Sequence, residues 1–292
     1  MLTPELLRRI RRIELRTRRL VHNAFAGAYH SRYKGRGLAF SSVRPYVPGD
    51  DVRAIDWKVT ARTGEPFIRQ YVEERELTVM LVLDGSASVL FGTVDRQKRD
   101  FAAELGAILA YAAISNQDKV GLLIFSDHIE HYIPPRKGRK HILRLIRDLL
   151  LVETSGRGTD MGQALQTVNR LLPAGAIVFI ISDFLMDSAA YARQLALTAQ
   201  QHDTIVMVLR DPLEETIPAV GLLLLRDAET GAVQAVDTSS AAWQQAFRQQ
   251  RAAFVQERAA AFRRAGVSEV DLPPDGDVVR ALTRFFRQGR GR

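Results

Sequence analysis

Three short stretches of this 292-residue chain collect oxygen-bearing side chains at spacings that suit a hard cation. The first is Asp84-Gly85-Ser86-Ala87-Ser88, in which an acid and two hydroxyls alternate. The second is Ser155-Gly156-Arg157-Gly158-Thr159-Asp160, and the third is Ser182-Asp183. Hard divalent cations take oxygen ligands, and Mg²⁺ in particular keeps octahedral geometry and several waters. Asp84, Ser86 and Ser88 lie in one short loop, so their oxygens can converge on one ion. Thr159 can add a hydroxyl, and Asp183 can act directly or through a water. Two carboxylates and three hydroxyls leave little excess negative charge around such an ion and an open position for a partner's carboxylate. The plainer alternative makes Asp84 and Asp183 strand-end residues and helix N-caps.

The surrounding sequence has to bring these stretches together. Leu77 to Leu83 is an almost unbroken apolar run, expected as a buried parallel strand. Lys119 to Phe125 and Ala176 to Ser182 read the same way, and Thr204 to Leu209 and Val267 to Val270 add further strands. Ile129 to Ile133 follows Phe125 closely enough to form a hairpin with it. Helices are expected over 96–115, 139–151, 161–172, 188–200, 241–264 and 277–287. Leu222 to Leu225 and Ala232 to Val236 flank Asp227-Ala228-Glu229-Thr230-Gly231, which reads as a hairpin insertion. Such strand–helix alternation predicts an α/β fold, a doubly wound and mostly parallel sheet covered on both faces. In open sheets of this kind ligands bind beyond the carboxyl ends of the strands. The three oxygen-rich stretches follow a strand or precede a helix and are expected on that edge.

Composition narrows the function classes. The chain is 46% hydrophobic and 25% charged, as expected for a globular protein with a full core. It has no cysteine, which excludes disulfides, thiolate metal sites and a cysteine nucleophile. No run of about 18 apolar residues is present, and the arginine-rich start has no apolar region of a secretory signal. The expectation is a cytoplasmic protein. Residues 1–36 carry ten Lys/Arg against two Glu, so the net charge of +8 resides there and the remainder is balanced. Within them, 3–28 reads as an amphipathic basic helix. There is no HExxH spacing among the six histidines, no Gly-x-Ser-x-Gly elbow and no phosphate-binding Gly-x-x-x-x-Gly-Lys-Ser/Thr loop. Binding is expected rather than catalysis.

Asp-x-Ser-x-Ser followed by a distant Thr and a distant Asp resembles the metal-ion-dependent adhesion site of von Willebrand factor A domains. The resemblance covers about residues 77–290. It implies that Asp84, Ser86, Ser88, Thr159 and Asp183 are metal ligands for Mg²⁺, or alternatively Mn²⁺ or Ca²⁺, and that an Asp or Glu of a partner protein completes the shell. A second set of residues comprises Gly35-Arg36-Gly37, Phe40, the run from Arg44-Pro45-Tyr46 through Pro48-Gly49-Asp50-Asp51 to Asp56-Trp57, Thr60-Ala61-Arg62 and Glu73-Glu74-Arg75. It is similar to the family catalogued as domain of unknown function 58, whose members place this block directly before a von Willebrand A-like domain. That resemblance implies two parts: a basic helix and loop-rich segment over 1–76, and the metal-binding domain over 77–292. It also implies an AAA+ ATPase of the MoxR type, or its client, as partner in adaptor or chaperone-like work. Many members carry N-terminal transmembrane helices, for which no segment is found here.

The 36–75 block has two compatible readings. It can be a docking surface for the ATPase, or Asp50, Asp51, Arg53, Asp56 and Arg62 can brace a flap with Tyr46 and Trp57 as core anchors. Asp127 and Asp211 follow strands and read as turn residues, with outer-shell contacts to the ion as the alternative. Two other functions compete with the binding module. One is metal-assisted hydrolysis at the same ion with Asp183 as base. The other is electrostatic binding of nucleic acid or a membrane surface by residues 1–36. Nucleic acid is not expected, because no aromatics for base stacking are interleaved with the arginines of the helix and no nucleic-acid-binding motif is recognised.

Overall fold

The computed structural model describes residues 29, 32, 38–73, 76–93, 97–156, 158–270, 272 and 278–287. The expected basic helix over 3–28 lies outside them. In chain order the elements are β1 (Leu38–Pro45), α1 (Trp57–Thr63), β2 (Phe67–Glu73), β3 (Thr78–Asp84), α2 (Lys98–Ser115), β4 (Lys119–Phe125), β5 (Ile129–Arg136) and α3 (Arg139–Leu151). There follow α4 (Met161–Leu171), β6 (Ile177–Ser182), α5 (Ala192–Gln201), β7 (Asp203–Val208), α6 (Pro212–Glu215), β8 (Leu222–Arg226), β9 (Val233–Asp237), α7 (Ala241–Ala265), β10 (Ser268–Val270) and α8 (Val278–Arg287).

Six strands form one sheet in the order β10-β7-β6-β3-β4-β5. All neighbours are parallel except β4 and β5, which form the expected hairpin. The chain leaves β3 towards β4 and β5, then crosses back to β6, β7 and β10 on the other side. The strand order therefore reverses beside β3, and the crevice beyond its carboxyl end is the topological switch point.

The apolar run of β3 is buried because both its faces are covered. Val79, Leu81 and Leu83 meet α2, α3 and α8, through residues such as Leu105, Leu145 and Leu282. Met80 and Val82 meet α4, α5 and α7, through Leu165, Leu195 and Phe262. The period of two along β3 thus sorts its side chains between two cores. Each fully buried Val, Leu, Ile or Met contributes about 1.5–3 kcal/mol.

Two regions depart from expectation. Residues 38–76, expected within a loop-rich segment, contain the antiparallel pair β1–β2, with a bulge between Phe40 and Ser42 and α1 in the connection. Pro45 sits at the end of β1, and Pro48, Gly49 and Gly64 lie in the connection, where they leave the ladder intact. The helix expected over 188–200 begins at Ala192, because Tyr191 takes φ −126° after a single 3-10 turn over Ser188–Ala190. The acids of the block, Asp50, Asp51 and Asp56, do brace it. Arg44 pairs with both oxygens of Asp50 at 2.7 Å, and Asp56 caps α1 through the N–H groups of Lys58 and Val59. Trp57 is no core anchor: it is 68% exposed, because Asp56 fixes the first turn of α1 with position 57 facing outward. The segment 222–237 forms its own two-stranded sheet, β8–β9.

Candidate metal centre

Asp84 is the last residue of β3 and is 1% exposed. Its Oδ1 accepts the Ser86 N–H at 2.9 Å, which folds the loop back over the strand end. Its Oδ2 accepts the hydroxyl of Ser182, the last residue of β6, at 2.6 Å. Ser86 and Ser88 are both buried, and their hydroxyl oxygens lie 3.1 Å apart. The loop tolerates this packing because residue 85 is glycine: a Cβ there would stand 2.5 Å from Thr154 Cγ2. Thr154 in turn donates to the Gly85 carbonyl at 2.6 Å, which brings the stretch before α4 onto the same edge.

Asp183 follows β6 and is also 1% exposed. Its charge acts on Asp84. Burial is the main cause pushing the Asp84 carboxyl up to about 6, the Asp183 charge adds to it, and the hydrogen bonds from Ser182 and Ser86 oppose it. Two buried carboxylates beside each other call for positive charge.

Part of that charge comes from a residue the sequence reading did not single out. Lys98, the first residue of α2, is 4% exposed, and its ammonium lies 2.7 Å from Asp183 Oδ2 and 2.6 Å from Glu214 Oε1. Burial works to lower the Lys98 pKa. The attraction of Asp183 and Glu214 outweighs burial and raises it above the ordinary value, so Lys98 is charged at neutral pH. Glu214 belongs to α6, whose N-cap Asp211 also accepts from the Thr93 N–H at 2.8 Å and the Thr93 hydroxyl at 2.5 Å. Asp211, read as a turn residue, therefore also ties α6 to the loop after Ser88.

Of the five expected ligands, Asp84, Ser86 and Ser88 are in one hydrogen-bonded loop, and Asp183 is beside Asp84. Thr159 sits just before α4, and its hydroxyl donates to Glu229 Oε1 at 2.6 Å. Among the described residues no group of three or more His, Cys, Asp or Glu side chains is placed to hold a metal. Two buried acids and two adjacent serine hydroxyls fit a hard cation by donor type. They offer no thiolate or imidazole for a softer one. Ser182, named in the third stretch without a role, orients Asp84: besides bonding Asp84, its hydroxyl oxygen accepts from the Phe184 N–H at 2.9 Å.

Comparison with known proteins agrees with this architecture. The solved structure of the conserved hypothetical protein BatB from Bacteroides thetaiotaomicron superposes with a TM-score of 0.50 at 19% identity, covering 73% of this chain and 98% of that one. The VWA domain of SpRpn10 matches with a TM-score of 0.41 at 12% identity over 75% of this chain and 99% of that one. The likeness to BatB is one of fold alone. The uncharacterised protein Rv1480 of Mycobacterium tuberculosis is 31% identical over 289 residues, which is 98% of this chain and 90% of that one. Residues 42–258 match the family described as "Protein of unknown function DUF58". With that match and a relative aligned along nearly its whole length, the chain belongs to the DUF58 family.

Proposed function

We propose that the chain is a protein-binding module that works through a hard divalent cation, Mg²⁺ in the first instance. Asp84, Ser86 and Ser88 would hold it, with Asp183 and Thr159 on the same edge. The ion would supply a Lewis-acidic position for an Asp or Glu of a partner protein. The observation that carries the reading is the pair of buried carboxylates at the switch point, beside two serine hydroxyls 3.1 Å apart. Such a pair is costly in a dry site unless cations neutralise it, and Lys98 reaches Asp183 while also serving Glu214.

The residues gathered here, two carboxylates, serine hydroxyls and the paired Lys98 ammonium, support holding an ion for recognition. The partner proposed from family resemblance is a MoxR-type AAA+ ATPase or its client. No helix among the described residues is long and apolar enough to cross a membrane.

The test is Mg²⁺ binding by calorimetry together with pull-down of the ATPase with and without EDTA. Asp84→Asn keeps the acceptor for Ser86 and removes the charge. It is expected to lose the Mg²⁺ heat and at least tenfold in partner capture while its unfolding transition stays cooperative. Capture that ignores both EDTA and Asp84→Asn rejects the reading. Turnover of phosphoesters that requires Asp183 would replace it with hydrolysis.

A further inference from the structure

A further acidic residue on Thr159 comes from far away in sequence. Glu229 lies at the tip of the β8–β9 hairpin, and its carboxylate accepts the Thr159 hydroxyl across 70 residues. From 224 to 235 every residue is exposed except Glu229, so the tip touches the rest of the molecule at this side chain. The tip is built to present it. Asp227 Oδ1 accepts from the Glu229 N–H at 3.1 Å, the Thr230 N–H at 2.6 Å and the Thr230 hydroxyl at 2.7 Å. Gly231 closes the turn at φ +72°, a conformation that favours glycine.

The arm behind the tip is lightly held. It is not part of the six-stranded sheet. Leu222 and Leu224 are each 73% exposed. The base, in contrast, is fixed by buried Val236 and by Thr238, whose hydroxyl accepts from the Val220 N–H and donates to the Gly221 carbonyl. A fixed base and an unpacked arm allow the tip to leave without disturbing either core.

We propose that the β8–β9 hairpin is a built-in ligand of the candidate metal centre: Glu229 takes in cis the position that a partner's carboxylate takes, and a partner binds by displacing it. This rests on the metal-dependent reading above. It also specifies the partner's chemistry as a Glu or Asp displayed at an exposed turn, the form in which the chain presents its own. If Thr159 joins Asp84, Ser86 and Ser88 in holding the cation, the ion would attract the Glu229 carboxylate that Thr159 contacts and hold the tip more firmly. A hairpin that merely rests on Thr159 would not respond to the ion.

Hydrogen–deuterium exchange of the full chain, with and without Mg²⁺, separates the two, with Mg²⁺ calorimetry run in parallel. In the native chain Mg²⁺ is expected to slow exchange over 224–233 at least tenfold. In Glu229→Gln the slowing is expected to fall below twofold while the Mg²⁺ heat persists. Mg²⁺ heat in the native chain without slowing over 224–233, or slowing that survives Glu229→Gln, overturns the built-in ligand and leaves the metal reading standing. Absence of Mg²⁺ heat in the native chain overturns both.

Discussion

Lys98 carries the charge balance of the candidate centre. A cation in the first turn of a helix opposes the helix dipole, and a buried ammonium is costly unless paired. Both costs are offset by Asp183 at 2.7 Å and Glu214 at 2.6 Å. Lys98→Met keeps the length and apolar stem but leaves Asp183 beside Asp84 without that compensation. The expected loss is about 3–5 kcal/mol of stability in metal-free buffer. Under the metal reading, Mg²⁺ at about a hundredfold over its dissociation constant returns about 2.7 kcal/mol. Melting temperatures in EDTA and in Mg²⁺ check both parts, and a variant as stable as the native chain in EDTA contradicts the charge argument. That Asp84, Ser86, Ser88 and Asp183 lie together was legible because oxygen-bearing residues at a strand end are a local signal. Lys98 and Glu214 were not, because their pairing spans 116 residues and only the fold creates it. The one available hint was a lysine in a helical first turn, where acids are favoured.

Element by element, legibility followed burial. The runs that became β3, β4 and β6 were apolar nearly throughout, because parallel strands between two helical layers have no polar face. The β1–β2 pair was missed because a bulge breaks its alternation and α1 intervenes between its strands. Within that block the charged residues cap and pair, as in the arrangement of Asp56 at the start of α1. Trp57 next to it packs against little and is 68% exposed, with Val47 and Val52 also exposed. Two substitutions one residue apart should therefore separate. Asp56→Ala removes an N-cap and is expected to cost about 1 kcal/mol. Trp57→Ala is expected to stay within about 0.5 kcal/mol of the native chain. Urea denaturation of both variants decides, and the reverse ranking would show that Trp57 is an anchor after all. If the exposed apolar side chains of this block serve the proposed ATPase, Trp57→Ala also weakens its capture at unchanged stability.

At the scale of the molecule, Asp118 joins parts that are distant in sequence. It follows α2, and its Oδ1 accepts the Leu77 N–H at 3.0 Å, just ahead of β3, while Oδ2 accepts the Tyr29 hydroxyl at 3.2 Å. Tyr29 is itself buried and packs on Phe286 of α8 with ring centroids 5.4 Å apart. One carboxyl thus ties residue 29, the central strand and the last helix to one core. Burial pushes it up to about 6, against the hydrogen bonds from Leu77 and Tyr29. A raised acid binds its proton more tightly when folded, so its contribution to stability is complete below about pH 4 and is lost as pH rises through about 6. A shift of about two units corresponds to about 2–3 kcal/mol. Asp118→Asn stays neutral throughout and keeps an acceptor for Leu77. Its stability relative to the native chain should therefore improve by about 2–3 kcal/mol between pH 4 and pH 7. Asp84 titrates in the same window but is common to both proteins, so the difference isolates Asp118. Urea denaturation at pH 4, 5, 6 and 7 measures it, and a difference that stays flat across that range would mean that Asp118 is not held in a desolvated site and that this tie is weaker than its geometry implies.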